Sequence, residues 1–215
     1  MAGILFTSAL WGNLGLRLGD GESDVLDRRE NLRQSLSLPA LVFMNQTHSS
    51  DVVQVSSSDS TVDADAIFTT EKGLGLAVLV GDCVPILLKS KDVVAAVHAG
   101  RIGMTNGIVE KTISAMRNLG SSDIEAILGP SICSDCYEVS AQMYHEIIAD
   151  HPESATEDVK RSLNLQMGIA AQLTDLGVET LNLGICTREH SEFFSHRRSQ
   201  FEGSPEGRQV GVISL

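Results

Sequence analysis

Residues 74–100 read LGLAVLVGDCVPILLKSKDVVAAVHAG, and this segment carries the strongest structural signal in the chain. It contains three short apolar runs, at residues 75–80, 85–88 and 93–97. Each run is bounded by Gly, Asp, Ser or Pro, which is typical of β-strands. Apolar residues fill the runs without alternation, and this indicates strands that are buried on both faces. We therefore predict that the three runs form the interior of a β-sheet.

The rest of the chain mixes strands with helices. Further strand-like runs occupy residues 4–7, 40–45, 52–55, 124–128, 178–185, 193–197 and 210–215. Helical periodicity is present at residues 24–36, 108–119, 140–149 and 159–176. Because strands and helices do not alternate strictly, we predict an α/β (α+β) fold with a mixed core of two sheets flanked by helices. The chain has no internal repeat and no linker-like segment, so we expect a single domain over residues 1–215.

Length and charge exclude several classes of protein. Sixteen Lys and Arg against 28 Asp and Glu give a net charge of −12 over 215 residues, which argues against a surface that binds nucleic acid. No apolar run is long enough to span a membrane, and the first residues lack the features of a signal peptide. Four cysteines are too few for a disulfide scaffold. We expect a cytoplasmic protein with reduced thiols and no membrane partner.

Three reactive side chains stand at the ends of apolar runs that lie far apart in the sequence. Cys83 follows the run at residues 75–80, His98 follows the run at residues 93–97, and His48 follows the run at residues 40–45. Small residues beside His98 would let a metal ion or a ligand approach the backbone. A thiolate with two imidazoles favours zinc or copper over magnesium or calcium, and of these we choose zinc. Three protein ligands leave a fourth position open, as in catalytic zinc sites. We therefore predict a catalytic zinc site at these three residues.

The same residues admit other interpretations at this point. Their long separations match no local motif, so two ordinary polar histidines and one buried cysteine would also satisfy the sequence. A metal-free cysteine hydrolase is a further interpretation, in which Cys83 is the nucleophile and His98 its base. Metal content separates these hypotheses, because the hydrolase would bind no zinc.

Short blocks along the whole chain resemble one known family. The blocks lie at residues 13–15 (NLG), 45–48 (NQTH), 63–66 (DADA), 82–88 (DCVPILL), 98–100 (HAG), 128–132 (LGPSI), 137–139 (YEV), 186–187 (CT), 194–198 (FSHRR) and 207–208 (GR). In order and spacing they are similar to the purine nucleoside phosphorylase-like family, formerly described as polyphenol oxidases or laccase-domain proteins. A true multicopper oxidase needs more histidines than the six of this chain, and several as His-x-His pairs, so the residue inventory disfavours copper oxidation.

The resemblance implies an activity and its metal. It implies a zinc site at His48, Cys83 and His98, with Cys83 also a catalytic residue. The implied reaction is phosphorolysis of adenosine, inosine, guanosine or methylthioadenosine to the free base and a pentose 1-phosphate, together with hydrolytic deamination of adenosine. The expected partners are therefore purine nucleosides and phosphate, and a monomer is compatible with the sequence.

Asp82 is a second candidate catalytic residue because it adjoins Cys83. It would act as a general acid or base toward the purine, or it would orient one of the imidazoles. A turn-capping aspartate at the end of a strand is the alternative interpretation.

Three arginines are candidate phosphate ligands. Members of the family usually continue His-Ala-Gly with Trp-Arg-Gly, whereas this chain continues with Arg101 and Ile102. We expect Arg101 to supply the guanidinium from the neighbouring position, and a weakened protein that only binds nucleosides is the alternative. Arg197 and Arg198, in a basic cluster with Arg208, suit bidentate contacts to phosphate, with a solvated surface run as the alternative.

The remaining cysteines form a further pattern. Cys133 and Cys136 are spaced as C-x-x-C, but the sequence shows no second pair of the kind that a zinc ribbon needs. We therefore interpret these two thiols as structural, and Cys186 as a core residue at the end of an apolar run.

Overall fold

Eleven strands, numbered here in chain order, form two mixed sheets in the computed structural model, which describes residues 3–59, 61–156 and 161–215. The first sheet has the spatial order β1 (Gly3–Phe6), β11 (Gln209–Ser214), β6 (Leu74–Val80), β2 (Ala40–Asn45) and β4 (Thr61–Asp63). The second has the order β10 (Glu179–Asn182), β9 (Glu125–Leu128), β7 (Val84–Lys89), β8 (Val94–Ala99), β5 (Ala66–Thr69) and β3 (Val52–Gln54). The predicted mixed core of two sheets is confirmed.

Residues 74–100 supply the central strands of both sheets. They form β6 in the first sheet and the neighbouring pair β7 and β8 in the second, and every residue of β8 is buried. Leu76 of β6 packs in one cluster with Leu87 of β7 and Ala96 of β8, so the two sheets share a core. On the opposite face of the second sheet, Ile86 of β7 and Val97 of β8 pack against helices. The absence of polar alternation in this stretch thus reflects burial on both faces, within a single domain.

Helices pack against the second sheet, and the first α-helix packs against the face of the first sheet that points away from the second. They are α1 (Glu22–Ser35), α2 (Arg101–Thr105), α3 (Ile108–Asn118), α4 (Ala141–Asp150), α5 (Leu165–Asp175) and α6 (His196–Glu202). The helix predicted over residues 159–176 begins at Leu165, because the Asn164 side chain accepts a hydrogen bond from the backbone N–H of Met167 and caps it. Residues 159 and 160 lie outside the described residues. The short elements β4, β5 and α2 were not predicted.

The strand predicted around residues 193–197 is wrong. Helix α6 begins there, since the buried Ser195 hydroxyl accepts from the backbone N–H of Arg198. The preceding Phe194 pairs with the side-chain amide of Gln209, which accepts from its N–H at 2.8 Å and donates to its carbonyl at 3.1 Å. The Gln209 side chain therefore makes with Phe194 the two hydrogen bonds that a neighbouring strand would otherwise make.

In the described part of the chain, no helix has both the length and the apolar composition needed to cross a membrane.

Candidate functional site

Two connections between the sheets carry the first two predicted zinc ligands. Strands β2 and β6 are parallel neighbours in the first sheet, so their carboxyl ends lie side by side at the same end of the sheet. After β2 the chain passes through His48 to β3 in the second sheet, and after β6 it passes through Cys83 to β7. The Gln46 side chain joins the two connections, because its amide accepts from Leu79 N–H at 2.8 Å and donates to Leu79 carbonyl at 2.7 Å. His48 and Cys83 therefore lie close together at the seam between the sheets.

Strand register brings the third predicted ligand to the same place. β8 runs antiparallel to β7, and Ala99 is opposite Val84, so the end of β8 lies beside the start of β7. His98 thus approaches Cys83. On its other side β8 pairs antiparallel with β5, and the backbone N–H of His98 donates to the Asp65 carbonyl at 2.7 Å.

The three side chains converge on one point. Cys83 Sγ lies 3.9 Å from His48 Nε2, and the two imidazole centroids are 4.8 Å apart in an edge-to-face arrangement. One ligand atom from each residue lies within 4.8 Å of the others. Ligands about 2.3 Å (sulfur) and 2.0 Å (nitrogen) from a tetrahedral zinc ion are separated by roughly 3.3 to 3.5 Å. The donor set and its spacing therefore fit a zinc ion after small side-chain adjustments.

Asp65 organises this site, although the sequence analysis assigned it no role. Its carboxylate is fully buried and accepts from the backbone N–H groups of Thr47, His48 and Ser49 at 3.1, 3.1 and 2.6 Å. These bonds support the turn in which His48 adopts a φ of 61°. The same carboxylate lies 2.7 Å from His98 Nδ1. A single side chain thus positions both histidines.

Electrostatics make Cys83 and His98 a charged pair in the metal-free protein. Burial disfavours the Cys83 thiolate, but the neighbouring His98 and His48 outweigh it and lower the pKa of Cys83 to about 6. Burial disfavours the His98 imidazolium, but the Cys83 thiolate and Asp65 raise the pKa of His98 to about 9. Burial also opposes ionisation of Asp65, yet hydrogen bonds from His98 and Ser49 lower its pKa to about 2.

Asp82 engages other partners than the imidazoles. Its Oδ1 accepts from the Thr187 hydroxyl at 2.7 Å, and its Oδ2 accepts from the backbone N–H of Arg197 at 2.6 Å. Asp82 is buried and has a φ of 92°, which is uncommon for a residue with a side chain. These contacts favour a positioning role that ties the Cys83 turn to the segments at residues 187 and 197, and the imidazole-orienting role belongs to Asp65. A catalytic role for Asp82 stays a prediction.

A pocket of about 590 Å³ opens onto the three ligands. Besides His48, Cys83 and His98 it is lined by residues of the amino-terminal segment, the end of β2 and the carboxyl-terminal segment, including Gln46, Arg17 and Arg208. Its volume lies within the range of about 300–1,000 Å³ that is usual for small-molecule sites. The pocket brings basic side chains near the predicted zinc ligands.

The three predicted phosphate ligands are not among the residues that line this pocket. Arg101 begins α2 and lies close enough to Tyr137 to favour ionisation of its hydroxyl, although burial and the Cys83 thiolate raise the pKa of Tyr137 overall. The Arg197 guanidinium carbon lies 5.2 Å from the centre of the Tyr137 ring. Tyr137 therefore lies near both arginines and near Cys83, a position that its sequence block alone did not indicate.

The third of these arginines, Arg198, has a different environment. Its guanidinium donates to the backbone carbonyls of four residues in the preceding loop, Thr187, Arg188, His190 and Phe193. These contacts favour a role in holding that loop, and phosphate binding by Arg198 stays a prediction.

Comparisons with known proteins agree with the resemblance in the sequence blocks. The family described as multi-copper polyphenol oxidoreductase laccase matches residues 8–215. A protein of Corynebacterium glutamicum named purine nucleoside phosphorylase is 40% identical over 216 residues, covering 94% of this chain and 86% of that protein. One of the same name from Streptomyces coelicolor is 41% identical over 215 residues, covering 94% and 87%.

Solved structures show the same fold. A Neisseria meningitidis protein superposes with a TM-score of 0.86 at 28% identity and covers 100% of this chain and 94% of its own. A Bacillus licheniformis protein has the same TM-score at 26% identity, with coverage of 100% and 92%. From the matched residues and these relatives, the chain belongs to the multi-copper polyphenol oxidoreductase laccase family, which includes proteins named purine nucleoside phosphorylase.

Proposed function

We propose that this protein is a zinc-dependent purine nucleoside phosphorylase that acts on adenosine, inosine, guanosine or methylthioadenosine and also deaminates adenosine. The observation that carries the proposal is the convergence of His48, Cys83 and His98 at a pocket large enough for a nucleoside. The names of the relatives support the reaction class. The reduced thiols of this site and of the other three cysteines suit a cytoplasmic protein.

Zinc suits this donor set best. One thiolate with two imidazoles is a soft to intermediate set, and three ligands leave a position for substrate or water. When bound, zinc would supply Lewis-acid chemistry to a substrate atom in the pocket. Asp65 accepts from His98 Nδ1, which leaves Nε2 of that ring as the ligand atom.

The arginines would hold phosphate and stabilise its charge. In phosphorolysis a phosphate oxygen forms a bond to C1′ of the ribose, the bond from C1′ to the purine breaks, and the purine takes the electron pair and a proton. Cationic side chains that are fixed before the reaction stabilise such charge without reorganisation. We propose Arg101 and Arg197, beside Tyr137, as phosphate ligands with Arg198 in support, and Arg208 as a cation of the nucleoside pocket.

Product analysis tests this function. Purified zinc-loaded protein is incubated with adenosine, with and without phosphate, and the products are separated by chromatography. We expect adenine only when phosphate is present, and inosine in both buffers. The variants Cys83→Ala and His48→Ala should form neither product, because each removes one of three zinc ligands.

A matched control guards against loss of folding. His145→Ala removes an exposed imidazole on α4, and this variant should retain both activities. If the wild-type protein, shown to contain zinc, forms no product from any of the four nucleosides, the proposed function is wrong.

A metal-free cysteine hydrolase is a second candidate, favoured by the thiolate and imidazolium pair of Cys83 and His98. It predicts activity in protein freed of metal by a chelator, and irreversible inactivation by iodoacetamide. Loss of activity on chelation with recovery on adding zinc would exclude it. A protein that only binds nucleosides would give heat on titration with adenosine and no product.

Zinc affinity should depend on pH in a defined direction. His98 has a pKa of about 9 in the metal-free protein and must lose its proton to bind zinc, whereas Cys83, with a pKa of about 6, is already a thiolate at pH 7. The apparent dissociation constant should therefore fall by up to about tenfold per pH unit between pH 7 and 9 and then level off. Competition with a zinc-binding dye at several pH values measures it, and an affinity that is constant over this range would contradict the prediction.

A further inference from the structure

A second group of metal-ligating side chains lies apart from the pocket. It consists of the thiols of Cys133, Cys136 and Cys186 and the carboxylate of Glu189, and one ligand atom from each lies within 4.8 Å of the others. We call these four residues the cysteine cluster. None of them lines the pocket described above, and the proposed function makes no use of them.

Two similar turns build the cysteine cluster. In the first turn, the Cys133 carbonyl accepts from the backbone N–H groups of Cys136 and Tyr137 at 3.2 and 3.1 Å. In the second, the Cys186 carbonyl accepts from the backbone N–H of His190 at 3.1 Å. Each turn thus presents two ligand residues spaced i and i+3, one as Cys-x-x-Cys and the other as Cys-x-x-Glu. Cys186 and Glu189 therefore supply a second pair of ligands. This pair is not a second Cys-x-x-Cys, so the cysteine spacing alone did not indicate it.

Backbone pairing holds the two turns face to face. Ser131 N–H donates to the Ile185 carbonyl at 3.1 Å, and Thr187 N–H donates to the Ser131 carbonyl at 3.0 Å, which makes a bridge between Ser131 and Cys186. This short parallel pairing places Cys186 beside the Cys133 turn, and Cys133 N–H lies 3.4 Å from Cys186 Sγ. The ligand atoms are therefore brought together by main-chain hydrogen bonds and not by chance side-chain conformations.

The surroundings of the cluster suit a metal ion better than apolar packing. Cys136 and Cys186 are buried and Cys133 is half-buried, beside Ile132. Glu189 is exposed, yet its carboxylate turns toward this sulfur-rich interior, with Oε1 3.7 Å from Cys136 Sγ. A carboxylate gains little from a weak thiol donor compared with water, whereas a cation at the centre would attract all four groups.

We propose that the cysteine cluster binds a second zinc ion, as a structural site. Thiolate ligands favour zinc and disfavour magnesium and calcium. Three thiolates and one carboxylate complete four-coordination, which is the mark of structural zinc, whereas the three-ligand site leaves a position open. Tetrahedral sulfur ligands at about 2.3 Å from zinc lie roughly 3.8 Å apart, so the observed spacing needs a contraction of about 1 Å at most.

A zinc ion in the cysteine cluster would hold in place two segments that contact residues near the first site. Cys136 is followed by Tyr137, which lies near Arg101 and Arg197. Cys186 is followed by Thr187, whose hydroxyl binds Asp82 beside Cys83. The second zinc ion would therefore link the two segments that approach the first site from outside the pocket.

Metal analysis of the whole chain tests the proposal. Protein produced with added zinc and purified with a reductant should contain two zinc ions per chain. His48→Ala and Cys186→Ser should each contain one, and the double variant none. Glu189→Gln should lose zinc to a chelator at least tenfold faster than wild type, while Glu192→Gln, an exposed glutamate of the same loop, should behave as wild type.

A spectroscopic readout distinguishes the two sites and does not depend on activity. With cobalt in place of zinc, the His48→Ala protein should keep the intense thiolate-to-cobalt absorption of three sulfur ligands. Adding Cys136→Ser to His48→Ala should abolish that absorption, as adding Cys186→Ser should. Circular dichroism confirms that each variant is folded.

Two results would overturn the inference. One is a wild-type protein with a single zinc ion that His48→Ala removes. The other is a disulfide among Cys133, Cys136 and Cys186 in freshly purified protein, found by mass spectrometry. If zinc is found only in the cysteine cluster, this inference stands and the proposed function at the first site fails.

Discussion

Asp65→Asn is expected to weaken zinc binding at the first site by about 10- to 100-fold and to lower the free energy of unfolding by about 3 kcal/mol. Asp65 is fully buried, and its two oxygens accept four hydrogen bonds, three from the backbone of residues 47–49 and one from His98. An asparagine of the same size keeps one oxygen but places an NH₂ group against these donors, so buried N–H groups lose their partners. The turn at His48 and the orientation of His98 would both loosen.

Zinc affinity by competition with a chelating dye and denaturant unfolding by circular dichroism measure the two effects. Asp63→Asn is the matched control, because it is the same substitution two residues away, where the carboxylate is exposed and accepts from the Asn45 side chain at 2.7 Å. It should change both quantities by far less. An Asp65→Asn protein with wild-type zinc affinity would show that the buried carboxylate does not position the ligands.

Gly100→Ala is expected to lower zinc affinity at least tenfold while the fold persists. A Cβ at residue 100 would lie 2.9 Å from Cys83 Sγ and 3.3 Å from His48 Cδ2, so it would occupy the space in which the ligands converge. The φ of Gly100 is −80°, so an alanine there has an ordinary backbone conformation. The expected loss therefore comes from displacement of Cys83 and His48 and not from backbone strain. The same reasoning explains why a residue without a side chain follows His98 and Ala99.

Zinc titration of the Gly100→Ala and wild-type proteins measures the loss of affinity, and thermal unfolding of both shows whether the fold persists. Gly21→Ala is the control, since Gly21 is exposed before α1 and has a φ of −60°, and its Cβ would meet only flexible polar side chains, that of Asp24 at 3.2 Å and that of Ser23 at 4.0 Å. Equal zinc affinity of Gly100→Ala and wild type would mean that zinc binds elsewhere or that the ligands can move apart at no cost.

Nine of the eleven strands and four of the six α-helices of the described residues could be predicted from local patterns. The runs in residues 74–100 form β6, β7 and β8, and their uniform apolar character correctly indicated burial on both faces. The same rule failed at residues 193–197, where Phe193 and Phe194 suggest a strand but Ser195 caps a helix. The partner there is the Gln209 side chain, which local pattern cannot supply.

The ligand types could also be predicted, but not everything that holds them. His48, Cys83 and His98 stand out because each reactive side chain ends an apolar run. Asp65 has no such mark in the sequence, since its role depends on the pairing of β5 with β8 and on the turn after β2.

Local sequence was enough to predict most strands, the donor atoms and therefore the preference for zinc or copper, because these follow from side-chain chemistry and short-range periodicity. Which donors meet depends on the three-dimensional arrangement of the strands. Strand register across a seam between two sheets brings residues 48, 65, 83 and 98 together, and a short parallel pairing brings Cys133 and Cys136 to Cys186 and Glu189. Such proximity arises from hydrogen bonds between distant segments of chain, and no pattern within one segment encodes it.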